Sequence, residues 1–262
     1  MPACCMSSQR NSNPSDKPMK SLMFPTLNKF LLCVLVCLLG LLGGCATNNS
    51  LNPAQVSQIR KIGVISTAGG TFYRQYIGLT VFNNESESLD IRDWKLDDVY
   101  EAQAQKALKQ MSSIEVILLG EQRADFHVLQ GRKELIQTTA ARLKLDAIAL
   151  VSSDPANRNG LGLYGQGMSN SNLRFYASIG IYDGKTGELI GQERLGSVRS
   201  DPMALGIPKF GEPRLRVSHK TVLTPLATLS DKEIADLKQQ ATYLPGTAWM
   251  ETFRRLLGKQ GS

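Results

Sequence analysis

The apolar run from Phe30 to Leu42 constrains this chain more than any other stretch of its sequence. It begins directly after Lys29 and is thirteen residues long, whereas a helix that crosses a membrane core of about 30 Å needs roughly 20 apolar residues. The apolar segment of a secretory signal peptide is about 7–15 residues long and lies between a basic start and small residues. Gly43 and Gly44 supply those small residues. The run therefore predicts a signal peptide, and a membrane anchor is the alternative.

The run ends in Leu42-Gly43-Gly44-Cys45, which resembles the lipobox of a bacterial lipoprotein signal peptide. This resemblance implies cleavage between Gly44 and Cys45, with a diacylglyceryl group and an N-acyl chain on Cys45. Ala46 follows, where an aspartate would be the familiar signal for retention in the inner membrane. The resemblance therefore implies a lipid-anchored protein on the periplasmic face of the outer membrane. A plain signal peptide without lipid remains an alternative.

The predicted domain boundaries follow from this cleavage site. Residues 1–44 form the signal peptide, although the polar stretch before Met19 makes Met19 a second candidate for the translation start. Residues 45–58 are polar and predict a lipidated N-terminus with a flexible tether. Residues 59–199 predict a periplasmic α/β domain. Residues 200–262 predict an irregular segment and C-terminal helices that pack on the same domain.

The composition and motifs of the chain argue against a disulfide, a nucleic-acid interface and a nucleotide site in the mature protein. Four of the five cysteines precede Cys45, so the mature chain cannot form an internal disulfide. The formal net charge of the whole chain is +7, without the Lys/Arg-rich block that is typical of a nucleic-acid interface. Gly160, Gly162 and Gly165 have GxGxxG spacing, but no predicted helix start follows them to hold a phosphate. We therefore expect no nucleic acid and no cofactor, apart from the lipid on Cys45.

The hydrophobic pattern predicts an α/β fold in which helices flank a mixed, partly parallel sheet, and an α+β arrangement is the alternative. Strands and helices alternate in the middle of the chain: strand Lys61–Thr67, a helix after Asp98, strand Glu115–Leu119, helix Arg132–Leu143 and strand Ala147–Ser153. Such alternation favours parallel strands that are connected by helices.

Further segments complete the predicted fold. Gln75–Phe82 predicts a strand that pairs with the first one, and Asn83–Ser88 predicts a loop. Clean alternation and a glycine-containing turn predict a β-hairpin near residues 173–195. Ser230 begins a capping box and, with a second helix after Pro245, predicts a C-terminal helical tail.

The segment from Lys61 to Leu195 resembles a group of periplasmic α/β lipoprotein domains. The resemblance lies in an opening strand (KIGVIS), a helix that leads into a strand (LDAIALVS) and a hairpin (IYDGKTGELIGQ). The group includes the curli secretion lipoprotein, the activator lipoproteins of penicillin-binding proteins and the N-terminal domain of the Tol-system translocation protein. The resemblance implies a protein that docks an envelope partner or assembles with itself, and that is not an enzyme.

Three sets of residues are candidate sites. The glycine-rich segment 154–172 predicts a loop with exposed apolar residues that contact a partner: Leu161, Leu163, Tyr164 and Met168. Clustered carboxylates could supply oxygen ligands to a cation-binding module, although helix capping and solvation explain them more simply: Asp90, Asp93, Asp97 and Asp98. His219 and His127 are the bases that a periplasmic hydrolase would use, although the chain has no GxSxG motif.

We expect the mature protein to begin at Cys45 and to carry lipid there, because the apolar run, the two glycines and the cysteine together match a lipoprotein signal. Mass spectrometry of the N-terminal peptide from protein isolated from cells should find the diacylglyceryl group on Sγ and the acyl chain on the α-amino group. A bare thiol on a secreted, freely diffusing chain would contradict the assignment.

Overall fold

The computed structural model describes residues 50–79, 83–127, 131–153, 160–167, 170–195 and 213–258. The predicted signal peptide, the Gly44–Cys45 cleavage site and the lipidated cysteine lie outside the described residues. The described residues belong to one compact unit, Asn48–Ser262. Among them, no helix combines the length and the apolar character that a membrane crossing requires.

The strands of the described chain are β1 (Lys61–Ser66), β2 (Thr71–Ile77), β3 (Glu85–Asp90), β4 (Glu115–Leu118), β5 (Ala147–Ser153), β6 (Leu161–Gln166), β7 (Asn170–Phe175), β8 (Ala177–Asp183), β9 (Leu189–Arg194) and β10 (Arg214–Arg216). The α-helices are α1 (Pro53–Gln58), α2 (Leu96–Met111), α3 (Arg123–Phe126), α4 (Arg132–Leu143), α5 (His219–Leu223), α6 (Asp231–Tyr243) and α7 (Ala248–Leu256). Short 3-10 helices lie at Arg92–Trp94, Gly120–Gln122 and Leu226–Thr228.

Sheet A has the strand order β4-β1-β5-β8-β9. Strand β1 runs parallel to both β4 and β5, and the remaining pairs are antiparallel. Both faces of its centre are buried: Ile62 and Val64 belong to the main core, whereas Ile65 and Ile148 belong to a second cluster that includes Ile136 of α4. This two-sided burial explains the continuous apolar run of β5, which is typical of a strand covered by helices on both faces.

Sheet B has the strand order β10-β7-β6-β2-β3. Strands β2 and β6 are parallel, and the other pairs are antiparallel. Side chains of a strand alternate between its two faces. One face of sheet B therefore packs into the main core through a set of large apolar residues: Phe72, Leu161, Leu163, Leu173 and Phe175.

Tyr100 of α2 joins sheet B to the C-terminal helices. Its ring lies 4.6 Å from that of Phe175 and 6.2 Å from that of Trp249, measured between ring centroids. Its buried hydroxyl donates a hydrogen bond to the carbonyl oxygen of Ala241, at 3.2 Å. The indole nitrogen of Trp249 in turn donates to Gln103 of α2, at 2.8 Å. Helix α2 thus contacts β7, α6 and α7 through one aromatic cluster.

The mixed α/β class that the sequence predicts is confirmed, with parallel and antiparallel pairs flanked by helices. Helix α4 and strand β5 have the predicted bounds, and β8 and β9 form the predicted hairpin. Ser230 caps α6 with the predicted box: its side chain accepts from the backbone of Glu233, and the Glu233 side chain accepts from the backbone of Ser230.

Three predictions about the strands are wrong. Strand β2 ends at Ile77 and pairs with β3 and β6 rather than with β1. The predicted loop at Asn83–Ser88 contains most of β3, whose sequence ESESLD lacks the apolar alternation of a half-buried strand because it lies at the edge of its sheet. The alternating segment that starts at Leu173 divides at Tyr176, so that Leu173–Phe175 pairs in sheet B and β8 pairs in sheet A.

The predicted tether also differs from the structure at its C-terminal end. Helix α1 occupies residues 53–58 and begins with a capping box between Asn52 and Gln55. Leu51 is buried, and its backbone N–H donates to the carbonyl oxygen of Leu256, at 2.9 Å. A single apolar residue before a helix cap was too small a signal to separate this packed segment from the polar stretch around it.

We expect Tyr100→Ala to lower the free energy of unfolding by about 3–5 kcal/mol. The substitution removes a buried ring and leaves a cavity in the main core beside Trp249 of α7. Tyr100→Phe should cost about 1–2 kcal/mol, because it leaves a buried carbonyl without its donor. Urea denaturation would measure both changes. Equal effects of the two variants would show that the ring does not anchor the cluster.

Candidate interaction surface

One face of sheet B points away from the main core. We use the name open face for the alternate residues of its strands: Tyr73, Gln75 and Ile77 of β2, Tyr164 and Gln166 of β6, Arg174 of β7, and Arg214 and Arg216 of β10. Apart from Tyr164, these side chains are half-buried or exposed, and Ile77 is 44% exposed. Helix α5, which contacts this sheet in the described chain, packs on the opposite face through Val222. Sheet B therefore presents a broad polar and aromatic surface.

A hollow of about 190 Å³ lies in the open face, lined by Gln75, Ile77, Tyr164, Gly165, Gln166, Arg174 and Tyr176. The rings of Tyr164 and Tyr176 meet edge to face, with centroids 5.2 Å apart. The guanidinium carbon of Arg174 lies 5.9 Å and 6.0 Å from these two ring centroids. Its Nη1 donates to the Tyr176 hydroxyl, at 2.6 Å. Cation–π contacts and this bond hold the guanidinium in place beside the two rings.

The two edge strands of sheet B carry opposite charges. Strand β10 contributes Arg214 and Arg216, both exposed. Strand β3 contributes Glu85, Glu87 and Asp90. Within the described residues, each of these strands pairs on one side only. The sheet thus ends in a basic edge and an acidic edge, both with backbone groups available for pairing.

Arg74 of β2 pairs with two glutamates of the acidic edge strand β3. This side chain is 1% exposed, and its Nη2 donates to Glu85 at 2.7 Å and to Glu87 at 2.6 Å. Its Nη1 donates to the carbonyl oxygen of Val222, at 3.0 Å. Glu87 also accepts from the backbone N–H of Leu226, at 2.8 Å. The hydrogen bonds from Arg74 hold the pKa of Glu87 below its ordinary value. The ion pair between Arg74 and Glu87 therefore connects β3 to the segment after α5.

A second polar cluster lies at the carboxyl ends of β1 and β4, the crevice where open α/β sheets commonly bind ligands. Here the side chains bind one another: Ser66 Oγ donates to Asp97 at 2.6 Å, and Arg123 Nη2 donates to Asp98 at 2.6 Å and to Glu101 at 2.7 Å. The backbone N–H of Ser66 also donates to Glu101, at 3.0 Å. Burial raises the pKa of Glu101 despite these donors. The crevice is filled by its own ion pairs.

The structure separates the four aspartates of the suggested cation module. Asp90 pairs with Arg92, whose hydrogen bonds lower the pKa of Asp90 to about 2. Asp97 accepts from Ser66 and from the backbone of Gly69, and Asp98 pairs with Arg123. Asp93 lies on the Arg92–Trp94 helix. Across the described ranges, no three His, Cys, Asp or Glu residues are grouped as a metal site would need.

The predicted partner loop is wrong for the residues that the structure describes. Leu161 and Leu163 are fully buried in β6, and Tyr164 is 8% exposed. Met168 lies outside the described residues. The glycines indicate close strand packing rather than a loop, because a Cβ on Gly162 would lie 2.2 Å from the carbonyl oxygen of Tyr73 in the neighbouring strand.

The two histidines lie in different environments. His219 Nδ1 is 2.9 Å from the hydroxyl of Ser171, and its ring meets Tyr76 edge to face. Ser171 is 4% exposed, so a substrate carbonyl has little access to its oxygen. His127 is exposed after α3. The Ser–His contact was not predicted, because it joins β7 to α5 across 48 positions of sequence.

Arg74 and Arg174 are the functional candidates that the sequence reasoning missed. The period of two in TFYRQYI places Arg74 on the same face as Phe72, which indicates burial. The same period in NSNLRF places Arg174 opposite Leu173 and Phe175. Strand alternation was therefore the signal that could have found both residues.

The solved structures that remotely resemble this chain include two bacterial proteins. No family model and no curated protein matches this chain. The C-terminal domain of LpoB from Salmonella enterica matches at 11% identity and a TM-score of 0.25, covering 56% of this chain and 95% of that one. Lipoprotein GNA1162 from Neisseria meningitidis matches at 13% identity and a TM-score of 0.28, covering 53% and 87%. At these TM-scores, neither match carries an inference about this chain.

We expect Glu87→Gln to destabilise the protein at pH 7 and to matter less in acid. The pKa of Glu87 is lowered in the folded state, so its contribution is present at neutral pH and is lost as pH falls below about 4.5. Urea midpoints of the parent and the variant should therefore converge between pH 7 and pH 3. Glu188→Gln, at an exposed pair with Lys133, is the matched control and should have little effect at either pH. A gap that stays constant with pH would contradict the role of the carboxylate charge.

Proposed function

We propose that this chain is a docking protein of the bacterial envelope that works without catalysis. It is held on the periplasmic face of the outer membrane by lipid on Cys45, and the open face of sheet B binds an envelope protein. The observation that carries this proposal is the hollow around Arg174, because tyrosine and arginine, residue types that are enriched in protein interfaces, line it together.

The chemistry of the hollow suits a protein partner. Tyrosine and arginine are enriched among the residues that contribute most to protein interfaces, since each offers a large contact area and polar groups together. Ile77 adds an exposed apolar side chain beside Gln75 and Gln166. The partner segment that fits best carries apolar or aromatic side chains that pack on the two tyrosines and on Ile77.

The polar clusters elsewhere support a structural role rather than catalysis. At the ends of β1 and β4, Asp98 and Glu101 pair with Arg123, and Asp97 accepts a hydrogen bond from Ser66. The contact between Ser171 and His219 is the observation that favours a hydrolase as a second candidate. The burial of Ser171 weighs against that candidate, because nucleophilic attack needs access to the hydroxyl oxygen.

We expect Arg174→Ala to reduce partner recovery about tenfold or more in affinity purification from envelope extracts, because it removes the central charge of the hollow. Arg142→Ala is the matched control, since that arginine is exposed on α4, away from sheet B. Both variants should be folded at the temperature of the assay, which circular dichroism checks, although Arg174→Ala loses its contacts with the two tyrosines. Equal recovery with the parent and Arg174→Ala would overturn the assignment of this surface.

A further inference from the structure

We propose that sheet B also joins a second copy of this chain edge to edge, with β10 of one copy antiparallel to β3 of the next. This inference rests on the proposed function, because it identifies a second copy as one of the docking partners. It names the edges of sheet B as the contact, whereas the envelope partner occupies the open face.

The two edges are available for such pairing. Strand β10 pairs with β7, and β3 pairs with β2, and neither strand has a second neighbour within the described residues. Edge strands present unpaired N–H and C=O groups that another strand can bind. Natural proteins often protect such edges with charges, and like charges on both would keep copies apart. Here the charges of the two edges are opposite, so they attract.

The strand directions fit a head-to-tail arrangement. Strand β10 is antiparallel to β7, β7 is antiparallel to β6, β6 is parallel to β2, and β2 is antiparallel to β3. Strands β3 and β10 therefore run in opposite directions within one copy. A second copy that continues the sheet in the same orientation brings its β3 alongside β10 as an antiparallel neighbour, with the open faces of both copies on one side.

The exposed leucines of the two edges indicate the register. Leu215 lies opposite Leu173, and Leu89 lies opposite Phe72, so both leucines are on the core-facing side of sheet B. They are 43% and 37% exposed, because each has a strand on only one side. Pairing Leu215 with Leu89 of the second copy would cover both apolar side chains.

The same register also matches the charges. With Leu215 opposite Leu89 of the second copy, antiparallel pairing places Arg214 opposite Asp90 and Arg216 opposite Ser88. These four side chains lie on the open-face side. Opposite charges in a cross-strand pair are stabilising. Asp90 already pairs with Arg92 at the surface, and such an exposed pair is weak enough to be shared or exchanged at little cost.

The contact uses two different patches, so it does not close on itself in a dimer. Each copy that binds through β10 still presents its own β3, and each copy that binds through β3 still presents β10. Head-to-tail contacts of this kind generate rings when the rotation closes and open filaments when it does not. Copies concentrated at one membrane surface would meet with their sheets in similar orientation, which favours this assembly.

Disulfide trapping between two single variants of the full chain tests the register. We expect a mixture of Leu215→Cys and Leu89→Cys chains to form a disulfide that joins the two substituted positions, identified by mass spectrometry of the linked peptides. Neither variant alone should give that linked peptide. Leu118→Cys mixed with Leu189→Cys is the matched control, since these leucines lie on the edge strands of sheet A and are 40% and 46% exposed. Equal yields from the two mixtures, or no link between positions 89 and 215, would overturn the proposal.

A charge exchange tests the same contact without a covalent bond. Sedimentation velocity of the full chain should show association that rises with concentration, is lost in Arg214→Asp and returns when Arg214→Asp is combined with Asp90→Arg. A parent chain that stays monomeric throughout would overturn the self-association and leave docking through the open face standing. Partner recovery that is unchanged by Arg174→Ala would overturn the docking role and leave the self-association standing.

Discussion

The contact between Tyr100 of α2 and Phe175 of β7 is the interaction on which the rest of this structure depends. It places one helix in contact with both sheets, because the same helix also packs on β1 and β4 of sheet A. Helix α7 closes the cluster through Trp249. The main core therefore forms between the two sheets instead of on one of them, and its residues come from both sheets, from α2 and from the C-terminal helices.

The two sheets differ in how much of their surface is buried. Sheet A is covered on both faces at its centre, by the main core and by α4, and is suited to a scaffold. Sheet B packs one face against the main core, and its other face carries polar and aromatic side chains. Within the described chain, its two edges carry opposite charges. At the acidic edge, the ion pairs of Arg74 hold β3 on the sheet, because this strand has little apolar surface of its own.

The parts of the fold that the sequence predicted are those with strong local patterns. The apolar run of β5, the helical period of α4 and the turn between β8 and β9 each determine their own structure. The partition into two sheets could not be predicted, because sheet B also depends on the pairing of β2 with β6 and of β7 with β10, which lie far apart in sequence. The exposed strand β3 has no hydrophobic pattern to reveal it.

The candidate site could also be predicted only in part from the sequence. The glycines at 162 and 165 predict a loop, yet they lie in a buried strand, where Gly162 meets the backbone of β2 and Gly165 meets Val222 of α5. Arg174 becomes important only when Tyr164 and Tyr176 are brought around it by strand pairing. Strand alternation can assign a residue to a face, but the neighbours across a sheet depend on tertiary structure.

Oxidative footprinting of the protein in intact envelopes, compared with the dilute purified chain, tests most directly whether sheet B is the working surface. The account predicts that Tyr176 and Leu215 are oxidised more slowly in the envelope. Tyr243, which is 70% exposed on α6, and Leu189, which is 46% exposed on sheet A, should be oxidised equally in both samples. Protection of Tyr243 or Leu189 with no change at Tyr176 and Leu215 would contradict it.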